Sequence, residues 1–135
     1  DGDANLSKGM KQAIKTKTPF TNTMRTLFFQ RLHKSVGLLA KQHPTLAIAQ
    51  TFIKEKYRTK FLQEFPHARF ILITSYNLIR EKRLTQRPDM PLDIKYARSM
   101  VENFDAPLLP HTEITNNTDG DEEILKQLQK IGIIE

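Results

Sequence analysis

Phe70-Ile71-Leu72-Ile73-Thr74-Ser75, followed by Asn77-Leu78-Ile79-Arg80-Glu81-Lys82-Arg83-Leu84-Thr85-Gln86-Arg87 and then Pro88, is the stretch on which the fold turns. Its first four residues are a continuous apolar run between charge and hydroxyls, the pattern of a parallel strand covered on both faces. Asn77 to Arg87 reads as a helix stopped by Pro88. On such a helix Arg83 and Arg87 lie one turn apart, two planar guanidinium forks able to grip phosphate oxygens together. Nucleotide phosphate is the ligand class this suggests. Yet the 135 residues contain no G-x-x-x-x-G-K-[ST] run, and none of the glycines at 2, 9, 37, 120 and 132 begins one.

Upstream, Asn5 to Lys15 reads as a short basic helix closed by Thr16-Lys17-Thr18-Pro19, because proline biases its predecessor away from helix. Thr21 or Asn22 can cap the next helix, where Met24, Leu27, Phe28, Leu32, Val36 and Leu39 recur at helical spacing until His43-Pro44. Leu46-Ala47-Ile48-Ala49 is a short buried-strand candidate. A helix with Ile53, Tyr57, Phe61 and Leu62 follows Thr51 and runs to about Glu64, and Phe65-Pro66-His67 is a turn. Downstream, Leu92 to Asn103 reads as a helix with Asp89 or Pro91 at its start. Pro107 and Pro110 bracket an irregular crossing, His111 to Thr115 is a last strand candidate, and Asn116 to Gly120 turns into a helix from about Asp121 to Ile131. Strands alternating with helices indicate βαβ units, so the expected fold is a helix-rich α/β domain with three parallel strands at most.

A chain of 135 residues, 39% hydrophobic and 27% charged, fits one soluble domain, and its 8% aromatic content without Trp suggests an aliphatic core. With no cysteine, disulfides, thiolate metal sites and cysteine nucleophiles are excluded, and cytoplasmic is the default location. No apolar stretch approaches the roughly 18 residues of a membrane span, and the N-terminus has no signal-peptide pattern. The start at Asp1, without Met, is expected of a chain that is processed, trimmed or cut from something longer. A net charge of +6 favours an anionic partner, whether nucleotide, sugar phosphate, nucleic acid or membrane surface. The arginine pair puts the nucleotide first and nucleic acid second, with no membrane partner expected. Asp119, Asp121, Glu122 and Glu123 are carboxylates suited to the first turn of the closing helix.

Several segments follow one another in a suggestive order: Asp1-Gly2-Asp3, Asn5-Leu6-Ser7-Lys8, Thr18-Pro19-Phe20 ahead of Arg25, Ile48 to Lys54 with Tyr57-Arg58 beyond, and Phe70 to Arg87 with Met90-Pro91 after it. Together they resemble the gluconate-kinase-like branch of small-molecule P-loop kinases, relatives of shikimate and nucleotide kinases. The matching pieces of that family are its D-G-D and N-I-x-K-M, its G-x-P-L leading to D-x-D-R, its S-A-L-K strand before Y-R, and its R-L-x-x-R approach to a mobile lid.

The resemblance implies a P-loop-kinase-like parallel sheet flanked by helices in a single domain. The acceptor side would occupy about 1–45, core strands and lid about 46–105, and a final strand and helix about 106–135. It implies an ATP-dependent phosphotransferase that uses Mg²⁺ and acts on a hydroxyl of a small metabolite. Asp1 and Asp3 match the acidic strand end that orients the acceptor, Asp3 serving as general base or Mg²⁺ holder. Lys8, Arg25 and Arg58 match cations that face the acceptor. Arg83 and Arg87 would close on the nucleotide phosphates and stabilise transferring charge, with Arg98 a further lid contact. Ala4 alone fills a stretch that is longer in the family, Thr21-Asn22-Thr23-Met24 replaces the acids before the matching arginine, and Pro88-Asp89-Met90 stands where Gly-His-Phe is frequent. The acceptor is therefore not expected to be gluconate. The family's phosphate loop and central strand precede the D-G-D, so the chain is expected to be a fragment or degenerate member missing both.

Two other readings compete, a basic nucleic-acid- or partner-binding module and a pseudokinase. His33, His43, His67 and His111 lack metal-ligand spacing, the serines lack a nucleophile elbow, and the phenylalanines are spaced as core.

Overall fold

The computed structural model describes residues 1–88 and 93–135. Asp1 caps a short 3-10 helix, Gly2–Asn5, its carboxylate accepting from the Asp3 N–H at 2.9 Å. Helix α1, Lys8–Lys15, begins separately because Ser7 Oγ accepts from the Met10 N–H at 3.1 Å. The helix expected from Asn5 is thus two pieces. At the end of α1 the Thr18 N–H reaches Ala13 O at 2.8 Å and the Lys17 N–H reaches Ile14 O at 3.1 Å, the paired bonds of a Schellman stop. Helix α2, Asn22–Ala40, is capped by Thr21, whose Oγ1 accepts from the Met24 N–H at 3.1 Å.

The core lies between α2 and α3, Glu55–Glu64. Phe29 stacks on Tyr57 with ring centroids 4.1 Å apart and meets Phe28 edge-on at 5.2 Å. Phe61 extends the cluster to Phe52, Phe65 and Phe70. The core is therefore aromatic as much as aliphatic, a correction to the compositional reading: few aromatics are present, but they are concentrated. His33 is buried here with Nδ1 bonded to the Glu64 carboxylate.

Strand β1, Phe70–Thr74, pairs in parallel with β2, His111–Thr115, in the register Phe70↔His111 through Thr74↔Thr115. Among the described residues the sheet has these two strands. The Leu46-Ala47-Ile48-Ala49 candidate is not one of them: a ladder needs a partner chain, and the segment receives a single backbone bond among the described residues, from Gly2 N–H to Ala49 O at 2.9 Å. Nor is β1 covered on both faces, since Ile73 is 59% exposed.

Helices α4, Asn77–Thr85, and α5, Ile94–Glu102, connect the strands. Asp93 caps α5 by accepting from the Lys95 and Tyr96 N–H groups, while Asp89 and Pro91, the expected starting residues, lie outside the described residues. Helix α6, Glu122–Lys130, returns to β2, where the Gln127 amide exchanges two bonds with the Thr115 backbone at 2.8 and 2.9 Å. That side chain occupies backbone groups at the end of the open β2 edge, as a neighbouring strand would.

Candidate functional site at the carboxyl edge of the sheet

Parallel strands in register deliver their following loops to the same edge, the usual place for a ligand in an open α/β sheet. Here that edge joins Ser75-Tyr76, leading into α4, to Asn116-Asn117-Thr118-Asp119, leading into α6. Backbone and side chains lock the two loops together. The Asn116 N–H donates to Thr74 O at 2.7 Å, and the Tyr76 N–H donates to Asn117 Oδ1 at 2.8 Å. Gly120, at φ 84, reverses the chain into α6.

Arg83 completes this lip. Its guanidinium donates to Asn116 O at 2.8 Å and to Thr118 O at 2.7 Å, with Asp119 at 4.0 Å. The fork expected on phosphate is bonded to the protein's own loop. Arg87 lies elsewhere: α4 ends at Thr85, Gln86 is the cap, and Pro88 disfavours helix at the residue before it. The two arginines do not share a helical turn, which corrects the geometry expected for the pair. Arg87 is exposed and bonds to none of the described residues.

The acceptor-side candidates are distributed over the other half of the chain. Gly2 lies against the 46–50 segment, where a Cβ would displace the Gln50 side chain, and its N–H bond to Ala49 O at 2.9 Å places Asp1 and Asp3 there. Asp1 spends its carboxylate on the cap, whereas Asp3 is exposed. Lys8 is exposed at the first position of α1. Arg25 is half-buried in the first turn of α2; its cation acts on the Tyr96 phenol, whose pKa burial raises against that cation's opposing influence.

Arg58 departs most from its expected place. It is 3% exposed and donates to Glu55 Oε2 at 2.5 Å, Phe52 O at 2.5 Å and Asp105 O at 2.6 Å. Its donors tie the start of α3 to residues 52 and 105 instead of facing an acceptor. Glu55 also accepts from the Leu109 N–H at 2.9 Å. Loss of water works against its charge, but Arg58 and the N–H groups of Leu108 and Leu109 hold the carboxyl below its ordinary range. Lys54 and the Glu55 N–H both bind the Asp105 carboxylate, keeping it below its ordinary range.

Arg98, for which an exposed helix charge stands beside the lid contact that the resemblance offers, is exposed, makes two bonds at 2.8 and 3.1 Å to the Glu81 carboxylate and joins α5 to α4. No hydrogen bond or ion pair connects any two of Asp3, Lys8, Arg25, Arg58, Arg83 and Arg87 among the described residues. Asn116, Asn117 and Thr118 are the edge residues that the sequence reading left as a turn. Their signal was present, an Asn-Asn-Thr-Asp-Gly run directly after a strand.

Among the described residues no group of three or more His, Asp or Glu forms a metal cluster. Asp3, the residue to which the resemblance gives Mg²⁺, is an exposed carboxylate outside any such cluster. No helix among the described residues is long and apolar enough to cross a membrane.

No protein-family model matches the chain, and no curated protein does. Among solved structures, an unliganded sugar kinase from Janibacter sp. HTCC2649 is similar with a TM-score of 0.79 at 16% identity, over 98% of this chain and 78% of that one. A gluconokinase from Sinorhizobium meliloti 1021 is similar with a TM-score of 0.71 at 14% identity, over 96% of this chain and 75% of that one. At such identities the likeness is one of fold, and the chain has a helix-rich α/β fold similar to those of these two kinase structures.

Proposed function

We propose that this chain is the acceptor-binding and nucleotide-edge part of an ATP-dependent kinase that phosphorylates a hydroxyl of a small metabolite. The observation that supports this reading is the kinase-like fold over nearly the whole chain, in two separate comparisons. ATP with Mg²⁺ would supply the phosphoryl group and neutralise its charge. The residues present fit part of that chemistry. Asp3, exposed beside the 46–50 segment, orients the acceptor hydroxyl, and Lys8 and Arg25 offer charged donors to an anionic group on the acceptor. Arg87, exposed beyond α4 and bonded to none of the described residues, meets phosphate. Arg83 acts through the loop it holds.

The residues do not fit the anchor for the β- and γ-phosphates, because the sequence has no glycine-rich loop to surround them with N–H groups. The kinase reading therefore requires that anchor from outside these residues. A second reading, a pseudokinase or binding protein, is favoured by the same mismatch together with the commitment of the Arg83 donors to Asn116 and Thr118.

Calorimetry with ATP–Mg²⁺, inorganic triphosphate and a panel of sugar acids and polyols separates them. The kinase reading expects ATP to bind more tightly than triphosphate, Arg87→Ala to weaken it, and an acceptor to bind with a dependence on Arg25. Equal binding of ATP and triphosphate, with no acceptor found, supports the non-catalytic reading.

A further inference from the structure

Residues 4–54 contain nine Lys and Arg and not one Asp or Glu, although the whole chain carries 15 acidic residues. Of those nine, Lys17 and Lys54 find a carboxylate, Asp93 and Asp105. Lys8, Lys11, Lys15, Arg31, Lys34 and Lys41 are exposed and pair with none among the described residues. On α1 the three lysines share the face opposite buried Met10 and Ala13. On α2, at about 100° per residue, Leu27, Arg31, Lys34, Leu38 and the cap residue Lys41 fall within an arc of about 80°, opposite Phe28, Phe29, Leu32 and Val36. Leu27 and Leu38 are 51% and 53% exposed on that outer stripe.

We infer that this outer stripe of α2 binds an anionic lipid surface. Arg31, Lys34 and Lys41 have no carboxylate partner among the described residues, so the stripe attracts an anionic surface. Two further features favour lipid over nucleic acid. Leucines alternate with these cations on one stripe, the arrangement that lets apolar side chains enter the headgroup boundary while cations stay with the headgroups. Phe20, Phe28, Phe29 and Phe52, the aromatics of this stretch, are buried or half-buried, so no stacking platform for bases is exposed. The fold stays outside the bilayer; the contact is peripheral. It is independent of the kinase reading, since none of the stripe residues is assigned to the acceptor or nucleotide.

Sedimentation of the full chain with phosphatidylcholine vesicles, with and without phosphatidylserine, tests the inference against single-stranded RNA as a competing anion. Binding is expected only when phosphatidylserine is present, and it falls about tenfold or more between low and high salt. Arg31→Ser with Lys34→Ser and Lys41→Ser lowers vesicle affinity about a hundredfold. Leu27→Ser with Leu38→Ser lowers it about tenfold and leaves RNA affinity unchanged. Circular dichroism verifies that each variant keeps its helices. Absence of binding to phosphatidylserine vesicles overturns the inference, as does RNA binding tighter than vesicle binding with no response to the leucine substitutions.

Discussion

Of the buried apolar side chains among the described residues, Met10, Ala13, Phe28, Phe29, Leu32, Val36, Ile53, Tyr57 and Phe61 precede residue 65, while Ala97 and Ile114 follow it. The later half is joined largely by polar clamps: Arg83 on the 116–118 loop, Gln127 on Thr115, Arg98 on Glu81. An apolar core resists single polar changes but not cavities, whereas a clamped edge is thermodynamically shallow and geometrically specific. The nucleotide side of the proposed site rests on the second kind of structure. It can be loosened without unfolding the first.

The severest test of that contrast is Phe29→Ala. Phe29 touches Phe28, Phe52 and Tyr57, so its removal leaves a void that the rings around it cannot close. A loss of about 3–5 kcal/mol is expected in chemical denaturation. A loss below about 1 kcal/mol would show that the aromatic cluster is not the main source of stability.

Arg58→Met is next, at about 3 kcal/mol, because it strips a buried cation from Glu55 and leaves the Phe52 and Asp105 carbonyls without their donor. The same knot gives a pH signature. Glu55 and Asp105 have folded-state pKa values below their ordinary ones, so their contribution is present above the unfolded values, about 4, and is lost as pH falls through the folded ones. Stability should be flat with respect to these groups near neutrality and decline in acid. Glu55→Gln should remove part of that decline. An unchanged acid limb in the Gln variant would mean that Glu55 does not carry it.

The two halves also differed in how well the sequence announced them. The Thr21 cap and the apolar run from Phe70 to Ile73 act within a few residues, so α2 and β1 were legible, as was the short strand at 111–115, whereas the true starts of α1 and α5, at Ser7 and Asp93, differ from the Asn5 and the Asp89 or Pro91 expected. Leu46-Ala47-Ile48-Ala49 misled because an apolar run expresses burial, while strand formation depends on a partner chain distant in sequence. Arg58 misled for a related reason. Its neighbours Phe52 and Asp105 are brought in by the fold, and only the Glu55 spacing of three residues hinted that its charge was already met. At the edge, Arg83 was recognised as an anchoring fork, but its anchor was assigned to a ligand instead of to the 116–118 carbonyls.

Arg83→Ala addresses that assignment, with an expected stability loss of only about 1 kcal/mol, since two hydrogen bonds to a partly exposed loop are removed. The larger effect is local: hydrogen exchange at the Tyr76 and Asn116 amides, which are bonded to Asn117 Oδ1 and Thr74 O, should speed up while amides in α2 stay protected. Arg83→Lys should fail to restore slow exchange, because a single ammonium cannot reproduce the planar fork. Equal acceleration in α2 would mean that the edge and the core open together, which would dissolve the contrast between the halves.

The smallest expected effect lies where the basic segment meets α5. Lys17 holds φ 57, a left-handed conformation that glycine adopts freely and lysine does not, at the C′ position of the α1 stop. Its ammonium meets the Asp93 carboxylate at 3.4 Å with both groups substantially exposed, and the Tyr96 N–H, followed by that cation, lowers the Asp93 pKa. Lys17→Gly removes the strain, about 1 kcal/mol, and also the exposed ion pair, so the net gain is expected to be smaller than the strain alone. High salt separates the terms, since it screens the ion pair but leaves backbone strain untouched. The advantage of the glycine variant should therefore grow with salt. If it shrinks instead, the ion pair is not the feature that offsets the strain, and the contact between α1 and α5 must depend on packing.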